Sequence, residues 1–318
     1  MPQNNASCFR TSIGGQALIE GILMRGPKKQ AIVCRTADGL VEKVEDVSLI
    51  RDKYPILRWP LLRGCVTFIE SMVKGMQALT YSASLVPLED QEEPDKLDKW
   101  IEAHFTAEKA QKIIIGVAVV LGIALSIFLF VFLPALIVGW IRPLTQSYAV
   151  RNLAEGLTKV AVLLGYMAAV SRMSDVKRLF SYHGAEHKTI FCYEHGKPLT
   201  VENVRPEKRF HPRCGTSFLL VVVLVSILVN SVVHLDNTFA RIGCHLLLLP
   251  VVVGVSYEIN RWCGAHDNWL SAILSAPGKW LQRLTTNEPD DGMIECAIRA
   301  MELVIPEEKG SDEWGKSA

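Results

Sequence analysis

The stretch 113–141 contains no charged side chain, and the next residue is Arg142. As a helix rising about 1.5 Å per residue, it is longer than the roughly 30 Å hydrocarbon layer of a bilayer. This segment sets the class: a mainly α, polytopic membrane protein. Pro134 within it is expected to disturb the helical hydrogen-bond ladder. Two more apolar segments, 216–234 and 241–258, follow one another closely, as in a helical hairpin. The second ends at Glu258 and carries His245, expected near the outer interface and satisfied by water. A hydrophobic content of 49% and a mean hydropathy of +0.22 fit a chain with several spans.

Charge placement supplies the topology. The loop 172–215 carries nine Lys or Arg, whereas the gaps 142–153 and 235–240 carry few. The positive-inside rule puts the basic loop in the cytoplasm. The pattern closes only if 154–171 also crosses, although Lys159 lies within it. Glu155, one turn earlier, is placed to pair with that lysine. The expectation is about four transmembrane helices with both termini cytoplasmic. The first ten residues are polar without an apolar run, so insertion is expected to rely on internal spans. Lys plus Arg number 34 against 33 Asp plus Glu, so no nucleic-acid partner is expected. The lipid bilayer is the expected partner, and a second copy or another membrane protein stays open. Eight cysteines without a C-x-x-C pair, mostly on a reducing side, read as free thiols or metal ligands.

The remaining chain is expected to hold a disordered tail (1–12), then a Gly-rich region with a β-hairpin (13–60). The hairpin strands are 31–36 and 40–44, around Asp38-Gly39. An amphipathic helix follows at 61–86, where Ile69, Met72, Met76 and Leu79 recur at helical spacing. It lies on the membrane, packs on the bundle or serves as an ordinary core helix. Next come an acidic linker and pre-span helix (87–112). C-terminal cytosolic helices (259–304) and a second disordered tail (305–318) close the chain. The glycines at 14, 15, 21 and 26 do not make a dinucleotide fingerprint, and no Walker sequence is present.

Chemistry concentrates in 182–188, which contains H-x-x-E-H: His183, Glu186 and His187. On a helix the two histidines lie one turn apart and can share a divalent metal, most simply zinc. Glu186, on the same side, can serve as a base towards water at that metal. Gly184 opposes the helix by roughly 1 kcal/mol relative to Ala. The bland alternative is a polar helix with ordinary hydrogen-bonded histidines. His211 and Cys214, just before the third span, add two zinc-type donors. Four converging ligands would make a closed structural site, and three would leave a catalytic position open. Cys192 and Glu194 are reserve ligands, and Glu258 is another candidate that folding could bring near.

Five stretches carry a resemblance: 14–27 (GGQALIEGILMRGP), 183–190 (HGAEHKTI), 199–205 (LTVENVR), 211–218 (HPRCGTSF) and 284–291 (LTTNEPDD). Together they resemble the YqhQ-like bacterial membrane family, in the same order, over about residues 12–304. That family is described as a domain of unknown function with a metal dependence ascribed to such motifs. The resemblance implies a multi-pass protein of the bacterial inner membrane. It implies that His183, Glu186, His187, His211 and Cys214 match family motifs. It also places 14–27 in the working part, with Glu20 and Arg25 as its polar contributors. Two functions stay open. One is a metal-dependent hydrolase at the cytoplasmic membrane surface, with Glu186 catalytic. The other is a non-catalytic scaffold or assembly protein with a structural metal.

Overall fold

The computed structural model describes residues 9–85 and 107–314, except 146, 234, 236, 267 and 309. The linker expected at 87–112 lies outside the described residues up to 106. The fold is mainly helical with a small N-terminal antiparallel sheet. Two compact units divide the chain. The first holds Met1–Val86, Leu164–Val225 and Pro250–Ala318, and the second holds Pro87–Leu163 and Ser226–Leu249.

The sheet lies in the first unit. Strands β1 (Gly14–Leu18), β2 (Gly21–Arg25), β3 (Lys29–Thr36) and β4 (Gly39–Asp46) form a meander in sequence order. The hairpin β3–β4 is the one expected around Asp38-Gly39, with Thr36 opposite Gly39 at φ +123°. The Gly-rich stretch before it, which gave no strand signal, forms β1 and β2. These strands were hidden because β2 is buried on both faces and so lacks the alternation of a half-exposed strand. On one face Ile22, Met24, Ala31 and Val33 pack with helices α4 (Ser174–Glu194) and α8 (Asp291–Glu302). On the other, Leu18, Leu23, Ile32 and Cys34 pack with Ala78 of α1 (Leu62–Ala83).

Helix α2 begins at Ala107–Ile127, passes through a π-turn at Phe128–Phe132 and resumes at Leu133–Ile141. The π-turn adjoins Pro134, whose missing N–H breaks the regular ladder. Then come α3 (Tyr148–Val170), α4, α5 (Gly215–Ser231), α6 (Thr238–Ala265), α7 (Trp269–Thr285) and α8. Among the described residues, three helical segments are long and apolar enough to cross a membrane: Gly116–Ile141, Val150–Val170 and Phe239–Ala265. Helix α5, expected as a span, is apolar but only 17 residues long. The described cysteines are all free.

Two expectations need correction, and a third becomes more definite. The basic connection 172–215 forms α4 in its first half, the helix on which the H-x-x-E-H spacing sets both histidines on one side. Gly184 does not break that helix, because a Cβ there would strike the carbonyl oxygen of Asn287. The glycine is a packing requirement, and the Asn287 N–H in turn donates to Phe180 O at 2.9 Å. The terminal segments are not loose where they are described. Thr11 pairs with Glu313 as a bridge, its hydroxyl donates to Asp312 Oδ2 at 2.7 Å, and its N–H donates to Glu194 Oε1 at 2.9 Å. These buried polar bonds leave no mark in hydrophobic periodicity. Finally, His245 is not at a wet edge. It is buried in the second unit, with Nδ1 3.4 Å from Glu155 Oε1.

In that unit Glu155 also meets Lys159 at 2.8 Å, the pair expected from their spacing. Arg241 donates twice to its other oxygen, at 2.6 and 3.0 Å, and once to Asn152 at 2.7 Å. Burial of this much charge is tolerable because each ion has an opposite partner.

Candidate metal centre

The centre is built in the first unit by α4, by the turn leading into α5, and by the chain after α7. Residues Tyr182 to Ile190 of α4 are buried except His183, which is half-buried. One helical turn sets the His183 and His187 rings 4.3 Å apart between centroids. Cys214, next to the first residue of α5, brings its Sγ to 3.2 Å from His183 Nε2. One donor atom each from His183, His187 and Cys214 lies within 4.8 Å of the others.

Orientation matters as much as distance. His183 Nδ1 donates to Thr285 O at 2.8 Å, and His187 Nδ1 donates to Arg209 O at 2.5 Å. A carbonyl only accepts, so each Nδ1 carries the proton. In the neutral rings Nε2 then keeps its lone pair. Backbone carbonyls set histidine ligands in this way at metal sites. Cys214 Sγ accepts from Thr216 N–H at 3.4 Å and lies 3.1 Å from the Thr216 hydroxyl.

The electrostatics follow from the same closeness. Burial alone would raise the Cys214 thiol, but His183 and His187 outweigh it and hold the thiol well below its ordinary range. Burial would lower His183, but Cys214, with help from Glu186, pushes it up to about 9. Glu186 is raised by burial, against the pull of His183 and His187. One side of its carboxylate takes the backbone N–H of Gly15, and Oε2 has no hydrogen-bond partner. Gly15 permits this approach, since its own Cβ would lie 3.0 Å from the Glu186 carboxyl carbon.

The other expected residues stand elsewhere. His211 is not in the trio. Its Nδ1 accepts from Arg213 N–H at 3.4 Å, and its Nε2 is 3.5 Å from Glu194 Oε2. Burial lowers its pKa. Glu194 is taken by Thr11, His211 and Arg213, so it is a lock between segments rather than a ligand. Cys192 donates to Pro198 O at 3.6 Å, and burial pushes its thiol up to about 11. Glu258 is clamped by Arg63 at 2.5 and 2.6 Å. Glu20 pairs with Arg178 and accepts from the Tyr182 hydroxyl at 3.2 Å. Arg25 lies on the opposite face of the sheet, within the field of Glu70.

Sequence reasoning missed the carbonyls of Thr285 and Arg209, which no side-chain pattern can signal. It also missed the work of 284–291. That stretch supplies the Thr285 carbonyl, the Asn287 carbonyl against Gly184, and Glu288 at 2.5 Å from the buried Lys188.

Comparison with known proteins assigns the chain to a family. The profile of the family described as "Protein of unknown function (DUF1385)" matches residues 59–307. The chain belongs to this DUF1385 family. It is similar to "Uncharacterized protein YqhQ" of Bacillus subtilis (strain 168), at 33% identity over 304 residues. The alignment covers 94% of this chain and 94% of that protein. No solved structure matches. For this DUF1385 chain, the fit to a metal rests on its own residues. Two imidazoles and a low-pKa thiol, with no fourth protein donor in the group among the described residues, form a donor set suited to zinc.

Proposed function

We propose that this DUF1385 protein is a metal-dependent membrane enzyme, most simply a zinc hydrolase. The observation that carries the reading is the convergence of three donors beside an unpartnered carboxylate oxygen. His183 Nε2, His187 Nε2 and Cys214 Sγ are the ligands, each held by a backbone carbonyl or by Thr216. Three protein ligands leave a position for substrate or water, which favours catalysis over a closed structural site. A divalent metal held there supplies Lewis acidity. Glu186, raised by burial, is placed to take a proton from water and return it to a leaving group. Gly15 N–H fixes one carboxylate oxygen and leaves the other for that transfer.

Four crossings, with α5 as the short third one, complete the reading. They put α4 and both termini on the cytoplasmic side of the bacterial inner membrane. The charge bias of 172–215 supports this orientation. Reporter fusions at the two termini should report the same side, and opposite sides would refute four crossings.

The enzymatic reading is tested by metal analysis of the purified full chain together with a panel of ester, phosphoester and amide substrates. About one equivalent of metal is expected in the wild type and in Glu186→Gln, with turnover lost only in the variant. Absence of stoichiometric metal, or unchanged turnover in Glu186→Gln, overturns it. The 3.2 Å contact between Cys214 Sγ and His183 Nε2 also suits a thiolate nucleophile with a histidine partner. Activity that persists in metal-free protein and is abolished in Cys214→Ser would select that second reading.

A further inference from the structure

The stretch 14–27 is the longest motif behind the family resemblance, and the metal centre uses only Gly15 from it. Strand alternation gives the rest a separate place. Gly15, Ile22 and Met24 face α4, whereas Gln16, Leu23 and Arg25 face α1. The Gln16 amide lies against Gly75 of α1, and Leu23 packs with Ala78. On this α1 face, within the first unit, is a cleft of about 420 Å³, in the size range of small-ligand sites.

Its charge is one-sided. Arg25, Arg51, Lys74 and Arg261 line it, together with Gly14 and Gly15, and among the described residues no Asp or Glu does. Of the carboxylates whose fields reach these cations, Glu45 and Glu258 are tied to other cations, and Glu70 acts on Arg25, one negative charge against four positive ones. Glu45 is held by Lys43 at 2.9 Å and Gln30 at 2.8 Å. Glu258 is clamped by Arg63, and Glu70 Oε1 accepts the Ile50 N–H at 2.8 Å while its Oε2 has no hydrogen-bond partner. Four cations around one hollow repel one another and favour an anion between them. A Cβ on Gly14 would meet no atom within 4 Å, so that glycine relieves no clash and instead keeps the cleft wall low.

We propose that this cleft binds an anionic ligand of the phosphate class, recognised by Arg25, Arg51, Lys74 and Arg261 against the Gly14–Gly15 backbone. Arginine forks suit phosphate oxygens, and exposed backbone lets the anion approach closely. The site goes beyond the metal reading and stands without it. The same chemistry is offered by a soluble phosphate and by a phospholipid headgroup. Helix α1, which lends Lys74, also exposes Ile69, Met72, Val73 and Met76, the kind of surface acyl chains would cover.

The test uses the detergent-purified full chain and inorganic phosphate, followed by calorimetry and by tryptophan fluorescence, since Trp314 also lines the cleft. A second arm measures capture by nanodiscs of phosphatidylglycerol against phosphatidylcholine. Saturable phosphate binding, weakened at least about tenfold in Lys74→Gln and Arg261→Gln and unchanged in Lys53→Gln, is expected. Lys74 is exposed, so that variant probes binding without risk to the core. Preference for phosphatidylglycerol with no phosphate binding, lost in the same variants, assigns the site to a lipid headgroup. Binding by neither probe, or variants that bind like the wild type, overturns the proposal. His187→Ala should lose metal and still bind the anion. Metal retained without anion binding sinks the cleft alone, and anion binding without metal sinks the enzyme reading alone.

Discussion

His187 of α4 and His245 of α6 are both buried imidazoles on helices, but their surroundings sort differently. Around His187 the protein spends backbone carbonyls on Nδ1 protons, so the lone pairs of two rings and one sulfur point at a common spot. Around His245 the charged groups point at one another. Lys159 and Arg241 close on Glu155, and His245 stands beside the same carboxylate with neither ring nitrogen hydrogen-bonded. The first arrangement leaves donor capacity unused among groups that could share one cation. The second consumes its charge internally, with the cations Lys159 and Arg241 closed on a single acid, and two such cations repel a metal. Burial and polarity are therefore poor guides to a site by themselves. The direction in which the unused lone pairs point separates a binding centre from an internal brace.

The largest expected effect is at the first cluster. His187→Ala should lower metal affinity by about three orders of magnitude or more, since one of only three protein donors is gone. Metal content after dialysis against a weak chelator measures this. The same assay on His245→Ala should give wild-type content, and loss of metal there would break the comparison. At the second cluster the effect should fall on stability instead. Glu155→Ala leaves Lys159 and Arg241 buried without their counter-charge, at a cost of about 3–5 kcal/mol. Thermal unfolding in detergent should show it while metal content per folded chain stays unchanged.

Gly184→Ala sharpens the comparison from inside α4. A methyl group would meet the Asn287 carbonyl, and the strain of such overpacking is about 1–3 kcal/mol. Because Thr285, two residues before Asn287, holds the His183 ring, the variant should lose metal affinity together with stability. Equal metal affinity in a destabilised Gly184→Ala would show that the wrap of 284–291 around α4 is not what aims the ring.

This glycine also marks what the sequence could and could not convey. The helical spacing of His183 and His187 made their pairing legible, and the same rule found Glu155 with Lys159. Hairpin chemistry at Asp38-Gly39 made β3 and β4 legible. What escaped was every feature set by long-range contact. Gly184 counts against a helix on propensity, yet is needed where another segment crosses it. Strand β2 lacks alternation because helices cover both its faces. His211 shares a motif with Cys214, but the turn between them sends the thiol to His183 and the imidazole to Glu194. Spacing placed both near the centre and could not say which would enter it.

The smallest effect is one of pH, and its sign follows from His183. In the metal-free chain its pKa is raised to about 9 by Cys214, whose own thiol is held well below the ordinary range. At neutral pH the ring is therefore an imidazolium, beside a thiol drawn towards its thiolate. A metal must displace the proton on His183 Nε2, whereas the imidazoles already draw the sulfur towards its thiolate. Uptake near pH 7 should release about one proton, which calorimetry in buffers of different ionisation enthalpy would count. Apparent affinity should rise about tenfold per pH unit towards 9 and then level off, because above that pH the ring is already neutral. Release of about two protons near neutral pH would mean that the thiol is protonated there, and that the imidazoles do not hold it as a thiolate. The second cluster, having no ligand to admit, should add no protons to that count.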